Sequence, residues 1–177
     1  MEIKKTVPPE AIYQLVREDY EAVAEWYDNK YDASREFAFQ LHDFMNALPT
    51  NPKVLDIGAG TGKESLLLSK KSRVTAFDLS EAMLKRLKKL HPKIETKIGN
   101  MINLSFPEND FDGIWSCRSI IHIPYSDLER TLGGFNRVLK QGGTLGLIFL
   151  TPEEIGKEIV EEFLPETEAK IEGLNLS

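Results

Sequence analysis

The chain has 177 residues, 41% hydrophobic and 28% charged, the size and make-up of one globular domain with a core of its own. Its net charge of −6 resides in residues 151–177, where eight Glu stand against two Lys. Elsewhere twenty basic and twenty acidic side chains cancel, so the electrostatic footprint of a nucleic-acid binder is missing.

No apolar run reaches the eighteen or so residues that cross a bilayer, so no membrane partner is expected. The stretch Met1–Pro9 lacks the apolar segment of a secretory leader, and a lone Cys117 leaves no internal disulfide, which together point to the cytoplasm. No cluster of metal ligands stands out. The basic run Lys85-Arg86-Leu87-Lys88-Lys89 reads as the solvated face of a helix.

Pro8 and Pro9 open the first helix, whose residues Ile12, Leu15, Val16, Tyr20, Val23, Ala24 and Tyr27 recur at helical spacing. Asp32 or Ser34 caps a second helix with Phe37, Leu41, Phe44, Met45 and Leu48 on one face. Alternation follows: Lys53–Ile57 reads as a strand, Thr61–Lys70 as a helix and Arg73–Phe77 as a strand. Ser80 caps a helix that His91-Pro92 stops near Leu90. Ile94–Ile98 and Phe111–Cys117 are the next strands, the second entered through the turn Pro107-Glu108-Asn109-Asp110.

Ser126 and Glu129 read as a capping box for a helix ending near Lys140 at Gly142-Gly143, and Thr144–Leu150 as the fifth strand. Thr151-Pro152-Glu153-Glu154 reads as another capping box, with a last helix through Ile155, Ile159, Val160, Phe163 and Leu164. Strands alternating with helices predict an α/β fold: a doubly wound, mostly parallel sheet with helices on both faces and an N-terminal helical cap. The expected organisation is one domain, 1–177, with the cap over 1–50, the sheet core over 51–150 and an acidic helix and tail over 151–177.

The first strand runs into Val54-Leu55-Asp56-Ile57-Gly58-Ala59-Gly60-Thr61-Gly62, an apolar segment, a carboxylate and a glycine turn that feeds a helix. Glycines there admit a ligand close to the backbone, and the helix start presents free N–H groups. The spacing departs from a dinucleotide fingerprint, because Lys63 holds the third-glycine place and Asp56 would repel a pyrophosphate. An NAD-dependent oxidoreductase is therefore disfavoured. A second carboxylate, Asp78, ends the next strand. Strands one and four should flank the point where the strand order reverses, so Asp56, Asp78, Asn100 and Ser116 converge on one crevice.

The D-x-G-x-G-x-G form of this turn resembles the first motif of the class I S-adenosylmethionine (SAM)-dependent methyltransferases, small-molecule branch, over roughly residues 20 to 150. The resemblance implies a Rossmann-like fold, SAM as methyl donor and S-adenosylhomocysteine as product. Usual members carry seven strands, and this chain looks short by the last one or two; Ile171–Leu176 offers one at most. The fifth strand then becomes an apolar edge open to a homodimer or a partner chain.

By this resemblance Asp56 supports the methionine amino end, and Gly58, Ala59 and Gly60 line the methionyl half. Asp56 reads equally as an acid that ties down the turn. Asp78 offers two acceptors to the ribose diol, against the reading of a solvated acid beside Ser80. Asn100 stands where relatives have an adenine-binding Asp, or is an Asn in a turn. Leu79 and Met101 sandwich the adenine or are plain core, and Ser116 ends the fourth strand beside the cofactor. Tyr27 and Tyr31 resemble an aromatic pair that closes over SAM; core packing is the alternative.

Arg118 and His122 follow the fourth strand, where an acceptor would approach. Arg118 suits an anionic substrate or a surface ion pair, and His122 a general base or a structural histidine. No Asp/Asn-Pro-Pro-aromatic motif follows that strand, and no proline precedes Cys117, which removes adenine-type amino and cytosine carbon methylation. The function expected is methyl transfer from SAM to a small-molecule N, O, S or C acceptor. The alternative is a SAM-binding module without turnover, completed by self-association or a partner chain.

Overall fold

The computed structural model describes residues 8–30 and 37–149. Tyr31, the capping candidates Asp32 and Ser34, and every expectation placed on residues 151–177 lie outside the described residues. Helix α1 (Pro9–Lys30) and α2 (Ala38–Ala47) precede a regular alternation. This runs β1 (Lys53–Ile57), α3 (Lys63–Leu68), β2 (Arg73–Asp78), α4 (Glu81–Leu90), β3 (Glu95–Ile98), β4 (Phe111–Cys117), α5 (Tyr125–Val138) and β5 (Leu139–Ile148). Single 3-10 turns at Met101–Asn103 and Ile120–His122 sit beyond β3 and β4.

All five strands are parallel in the order β3-β2-β1-β4-β5, so the order reverses between β1 and β4 as the sequence predicts. Burial on both faces explains why β1 can hold the centre. Val54 packs into a cluster with Leu41 and Phe44 of α2, Leu68 of α3, Leu84 and Leu87 of α4, and Trp115. Leu55 and Ile57 pack on the other face with Phe77, Phe111, Ile114, and Phe135 and Val138 of α5. Alternation along a strand thus assigns each neighbour to one layer. At the amino ends, Lys53 Nζ meets the Asp110 carboxylate at 2.7 Å, and the Lys53 N–H and Lys140 Nζ donate to opposite oxygens of Asp112. β1, β4 and β5 are thereby tied at the end far from the ligand crevice.

Several boundaries differ from the sequence-based expectation. Ser80 does cap α4, its Oγ accepting from the Met83 N–H at 3.3 Å. Ser126 and Glu129 form no capping box: α5 already begins at Tyr125, with Pro124 in the cap position and no side-chain cap bond. Pro124 has φ −54°, a value its ring imposes and that suits a chain entering a helix. At the other end α5 stops at Val138, because Arg137 donates to the carbonyls of Phe106 and Leu104, and Leu139 already pairs with Phe111. The Gly142-Gly143 pair lies inside β5, where the register jumps between Phe111 and Gly113, rather than ending the helix. Helix α3 is shorter than expected, starting only after a left-handed Gly62.

Among the described residues β5 pairs with β4 alone, and Leu145 and Phe149 are 42% and 62% exposed. Leu15, expected on the inner face of α1, is 56% exposed. No described helix is long and apolar enough to cross a membrane.

Phe135 is 1% exposed at the centre of the α5 layer. Phe135→Ala should lower unfolding free energy by about 3–5 kcal/mol, read as a fall in the urea midpoint at unchanged slope.

Candidate active site

Three strand ends meet at one residue. The Asp78 carboxylate, at the end of β2, accepts the Gly60 N–H on Oδ2 and the Ser80 N–H on Oδ1, both at 2.8 Å. Its main-chain carbonyl accepts the Gly99 N–H, just beyond β3, at 2.9 Å. The neighbouring Phe77 carbonyl takes the N–H groups of Gly58 and Ala59 at 2.8 and 3.2 Å. Burial pushes the Asp78 carboxyl up from its ordinary value, and the N–H groups of Ser80, Gly60 and Leu79 pull it back only in part. Each carboxylate oxygen keeps a further lone pair, so a diol can still be received.

Above these ends lies a cleft of ≈ 670 Å³, counting the solvent open to it, within the range of small-molecule sites. Its floor includes Gly58, Gly60, Asp78, Leu79, Asn100 and Met101, six of the residues singled out from the sequence. Asn100 caps the 3-10 turn after β3, its Oδ1 accepting from the Ile102 N–H at 3.2 Å. A second, smaller hollow shares Tyr27, Gly60 and Arg118 with the first and adds Ala59, Lys63, Glu64 and Cys117.

The glycines of the turn serve different ends. Gly58 has φ +73°, and a Cβ there would stand 2.2 Å from the Ser119 Cβ. Its bareness makes room for Ser119, which donates to the Ile57 carbonyl at 3.0 Å and shares a hydrogen bond with Ser116 Oγ at 2.7 Å. Gly60 has φ +53°, and a Cβ there would project into open cleft, with only Tyr27 near, at 3.9 Å. Gly60 is therefore where a ligand can lie on the backbone.

Two predicted residues do not line either hollow. Asp56 is 2% exposed and points into the α3 layer, accepting from Ser65 Oγ at 2.5 Å. The tie on the glycine turn that Asp56 was a candidate for is made by Asp78. Ser116 is fully buried against Ser119. Cys117, at the end of β4, is half-buried and borders the smaller hollow.

The opposite wall comes from α1. Tyr13, Val16, Arg17, Tyr20 and Tyr27 line the cleft, facing Arg118, His122 and Ile123. Tyr20 Oη and His122 Nε2 share a hydrogen bond of 2.9 Å, and the rings meet edge-on with centroids 5.3 Å apart. Tyr20 meets Tyr27 edge-on as well, at 5.9 Å. Burial lowers the His122 pKa, against a weaker raising effect of Asp19, so the ring is neutral near pH 7. Arg118 holds φ +55°, a backbone state that costs a non-glycine residue and recurs at functional sites. Tyr13, Arg17, Tyr20 and Ser119 were not anticipated as site residues. The signal was there: Tyr13, Tyr20 and Tyr27 recur every seven residues, on one face of a helix.

The residues fit SAM. An acid with spare acceptors, an open backbone at Gly60 and apolar flanks at Leu79 and Met101 suit an adenosyl group, and the Asp78 charge is ill-placed for a phosphate. Such a cleft over the carboxyl ends of a parallel sheet defines the cofactor site of class I SAM-dependent methyltransferases. Comparison with known proteins agrees: residues 54–143 match the methyltransferase domain family, and the chain belongs to it. A demethylmenaquinone methyltransferase of Symbiobacterium thermophilum is 34% identical over 152 residues, which cover 76% of this chain and 59% of that protein. The chain thus spans less than two thirds of that relative's length. A SAM-dependent methyltransferase structure from Methanosarcina mazei shares 30% identity at TM-score 0.54, over 56% of this chain and 53% of that one. The DhpI–SAM–HEP complex superposes at TM-score 0.68 over 93% of this chain and 76% of its own, a likeness of fold at 21% identity.

Asp56 yields a pH prediction. Its carboxyl is pushed up to about 8, first by burial, then by the charge of Glu64 and more weakly Asp78, against the Ser65 hydroxyl. A carboxyl that binds its proton more tightly when folded favours the fold at low pH, and that contribution is lost as pH rises from the ordinary carboxylate range to about 8. Asp56→Asn should flatten this slope. The variant should match the parent near pH 5 and exceed it by roughly 1 kcal/mol or more at pH 9, in urea unfolding.

Proposed function

We propose that the protein transfers a methyl group from SAM to a small-molecule acceptor with an apolar, ring-like body. The observation that carries this reading is the cleft itself, which joins Asp78 and the open backbone of Gly60 to a neutral His122 under a wall of tyrosines. Bound SAM supplies an electrophilic methyl carbon. Asp78 takes the ribose diol, Asn100 and Met101 face the adenine with Leu79, and Gly58, Ala59 and Gly60 border the methionyl part. Asp56 acts from beneath the turn through α3, and Ser116 acts by holding Ser119. Tyr27 stands over Gly60 and shields the transfer from water.

His122 accepts the proton released by the acceptor, and Tyr20 fixes the ring that receives it. The quinone-type acceptor in the name of the Symbiobacterium relative supports an aromatic acceptor here. No nucleic-acid partner belongs to this reading. The neutral charge balance outside the tail and the single cysteine support a cytoplasmic setting, and the exposed Leu145 and Phe149 beside β5 support self-association through that edge.

Calorimetric titration with SAM and S-adenosylhomocysteine tests the cofactor. Micromolar binding is expected, weakened at least about 50-fold in Asp78→Ala, since charge-assisted hydrogen bonds to the ribose disappear. A folded protein that ignores both compounds at millimolar concentration would sink the proposal. His122→Ala should leave the S-adenosylhomocysteine affinity within about twofold and lower kcat about 10²-fold or more. Tyr20→Phe should cost less and shift the acidic limb of the pH–rate profile.

A further inference from the structure

The acid that the sequence assigns to the methionine amino end of SAM does not reach the ligand surface. Asp56 is 2% exposed, accepts from Ser65 Oγ at 2.5 Å in the α3 layer and lines neither hollow. With its carboxyl pushed up to about 8, it carries a proton at neutral pH and has no charge to set against an ammonium. Asp78 is committed as well: its oxygens accept the Gly60 and Ser80 N–H groups, and their remaining lone pairs serve the ribose diol. The zwitterionic end of the cofactor therefore needs another acid with a base beside it. The smaller hollow, ≈ 390 Å³ counting the solvent open to it, has both. Among the described residues Glu64 is its one carboxylate, and Lys63 and Arg118 are its cations.

Position favours that hollow for the tail of an adenosyl ligand. It meets the large cleft at Tyr27, Gly60 and Arg118. Asp78 holds the Gly60 N–H at 2.8 Å, so a ribose on Asp78 lies next to Gly60. A chain leaving that ribose can cross the bare Gly60 backbone into the smaller hollow. Arg118 stands at this junction, with its own N–H donating to the Ile148 carbonyl at 2.8 Å, and its planar fork matches a carboxylate. Glu64 is the charged acid of this corner, and its field is felt by Asp56 beneath the turn. We propose that Glu64 takes the ammonium and Arg118 the carboxylate of the SAM methionyl end, so that this chain reads the amino-acid group from the smaller hollow instead of from Asp56. Lys63, Glu64 and Arg118 each have an interaction within the chain, so the zwitterion exchanges for existing partners and is selected by matched charge signs. The assignment rests on the reading of the cleft as a SAM site. It adds the residues that tell SAM from an adenosyl compound without the amino-acid end.

The test is calorimetric titration of the full chain with four adenosyl thioethers. These are S-adenosylhomocysteine, methylthioadenosine, which lacks the amino-acid end, and the aminopropyl and carboxypropyl analogues, which keep only the ammonium or only the carboxylate. S-adenosylhomocysteine should bind the parent about tenfold or more tightly than methylthioadenosine. Glu64→Gln should weaken S-adenosylhomocysteine about tenfold but not the carboxypropyl analogue, which has no ammonium to lose. Arg118→Met should weaken S-adenosylhomocysteine by a similar factor but not the aminopropyl analogue. Methylthioadenosine should bind both variants within about twofold of the parent, which shows the adenosyl site intact. Asp56→Asn should keep the preference for S-adenosylhomocysteine over methylthioadenosine. An S-adenosylhomocysteine affinity unchanged in Glu64→Gln or in Arg118→Met would overturn the proposal, as would loss of the preference in Asp56→Asn. Methylthioadenosine binding with no preference for S-adenosylhomocysteine sinks this assignment alone, whereas a folded parent that binds neither sinks the cofactor reading with it.

Discussion

The hydrogen bonds of Asp78 hold the ligand end of this fold together. A parallel sheet leaves the carboxyl ends of its strands as separate loops, each with backbone groups to satisfy. Here one residue gathers three of them. The carboxylate fastens the turn after β1 through Gly60 and the start of α4 through Ser80, and the carbonyl fastens the chain leaving β3 through Gly99. Burial works against the carboxylate charge, and the backbone donors compensate in part. The group that would recognise a ribose is therefore already held in place by backbone donors, so little ordering remains for the ligand to impose.

Chemistry is divided between two layers with different jobs. The strand ends supply polar, backbone-rich surface suited to a nucleoside. Helix α1 supplies rings, one of which leans on His122 and keeps that imidazole desolvated. A desolvated imidazole is neutral, and a neutral imidazole can receive a proton. Packing of an aromatic helix against the loop after β4 thus lowers the pKa of His122, which links core-like contacts to the electrostatics of the cleft.

Much of this was legible in the sequence because it is local. β1 and β4 lie where apolar runs bounded by turn residues placed them, and the reversal between them followed from the βα alternation. Asp78, Gly60, Asn100 and Met101 were readable as strand-end residues for the same reason. The α5–β5 boundary was not, because Arg137 and the pairing of Leu139 with Phe111 end the helix from a distance, and a glycine pair inside a bulge mimics a helix stop. Asp56 looked ligand-facing by position, yet strand parity turns it into the α3 layer. Tyr13, Arg17 and Tyr20 lie more than thirty residues before the first strand, so the seven-residue recurrence of the tyrosines marked a helix face without telling cleft lining from core.

The contact between Gly58 and Ser119 has a mechanical consequence. Ser119 sits in the space a side chain at position 58 would fill and is bonded both to the end of β1 and to Ser116 in β4. It works as a bolt across the two strands that diverge there. The turn after β1 and the loop carrying His122 are thereby joined at their base, so the floor of the cleft and this part of its wall share one support. The α1 wall has no such bolt: it is joined to the chain beyond β4 by the hydrogen bonds of Tyr13 with Asp127 and of Tyr20 with His122, both made by side chains at the cleft itself.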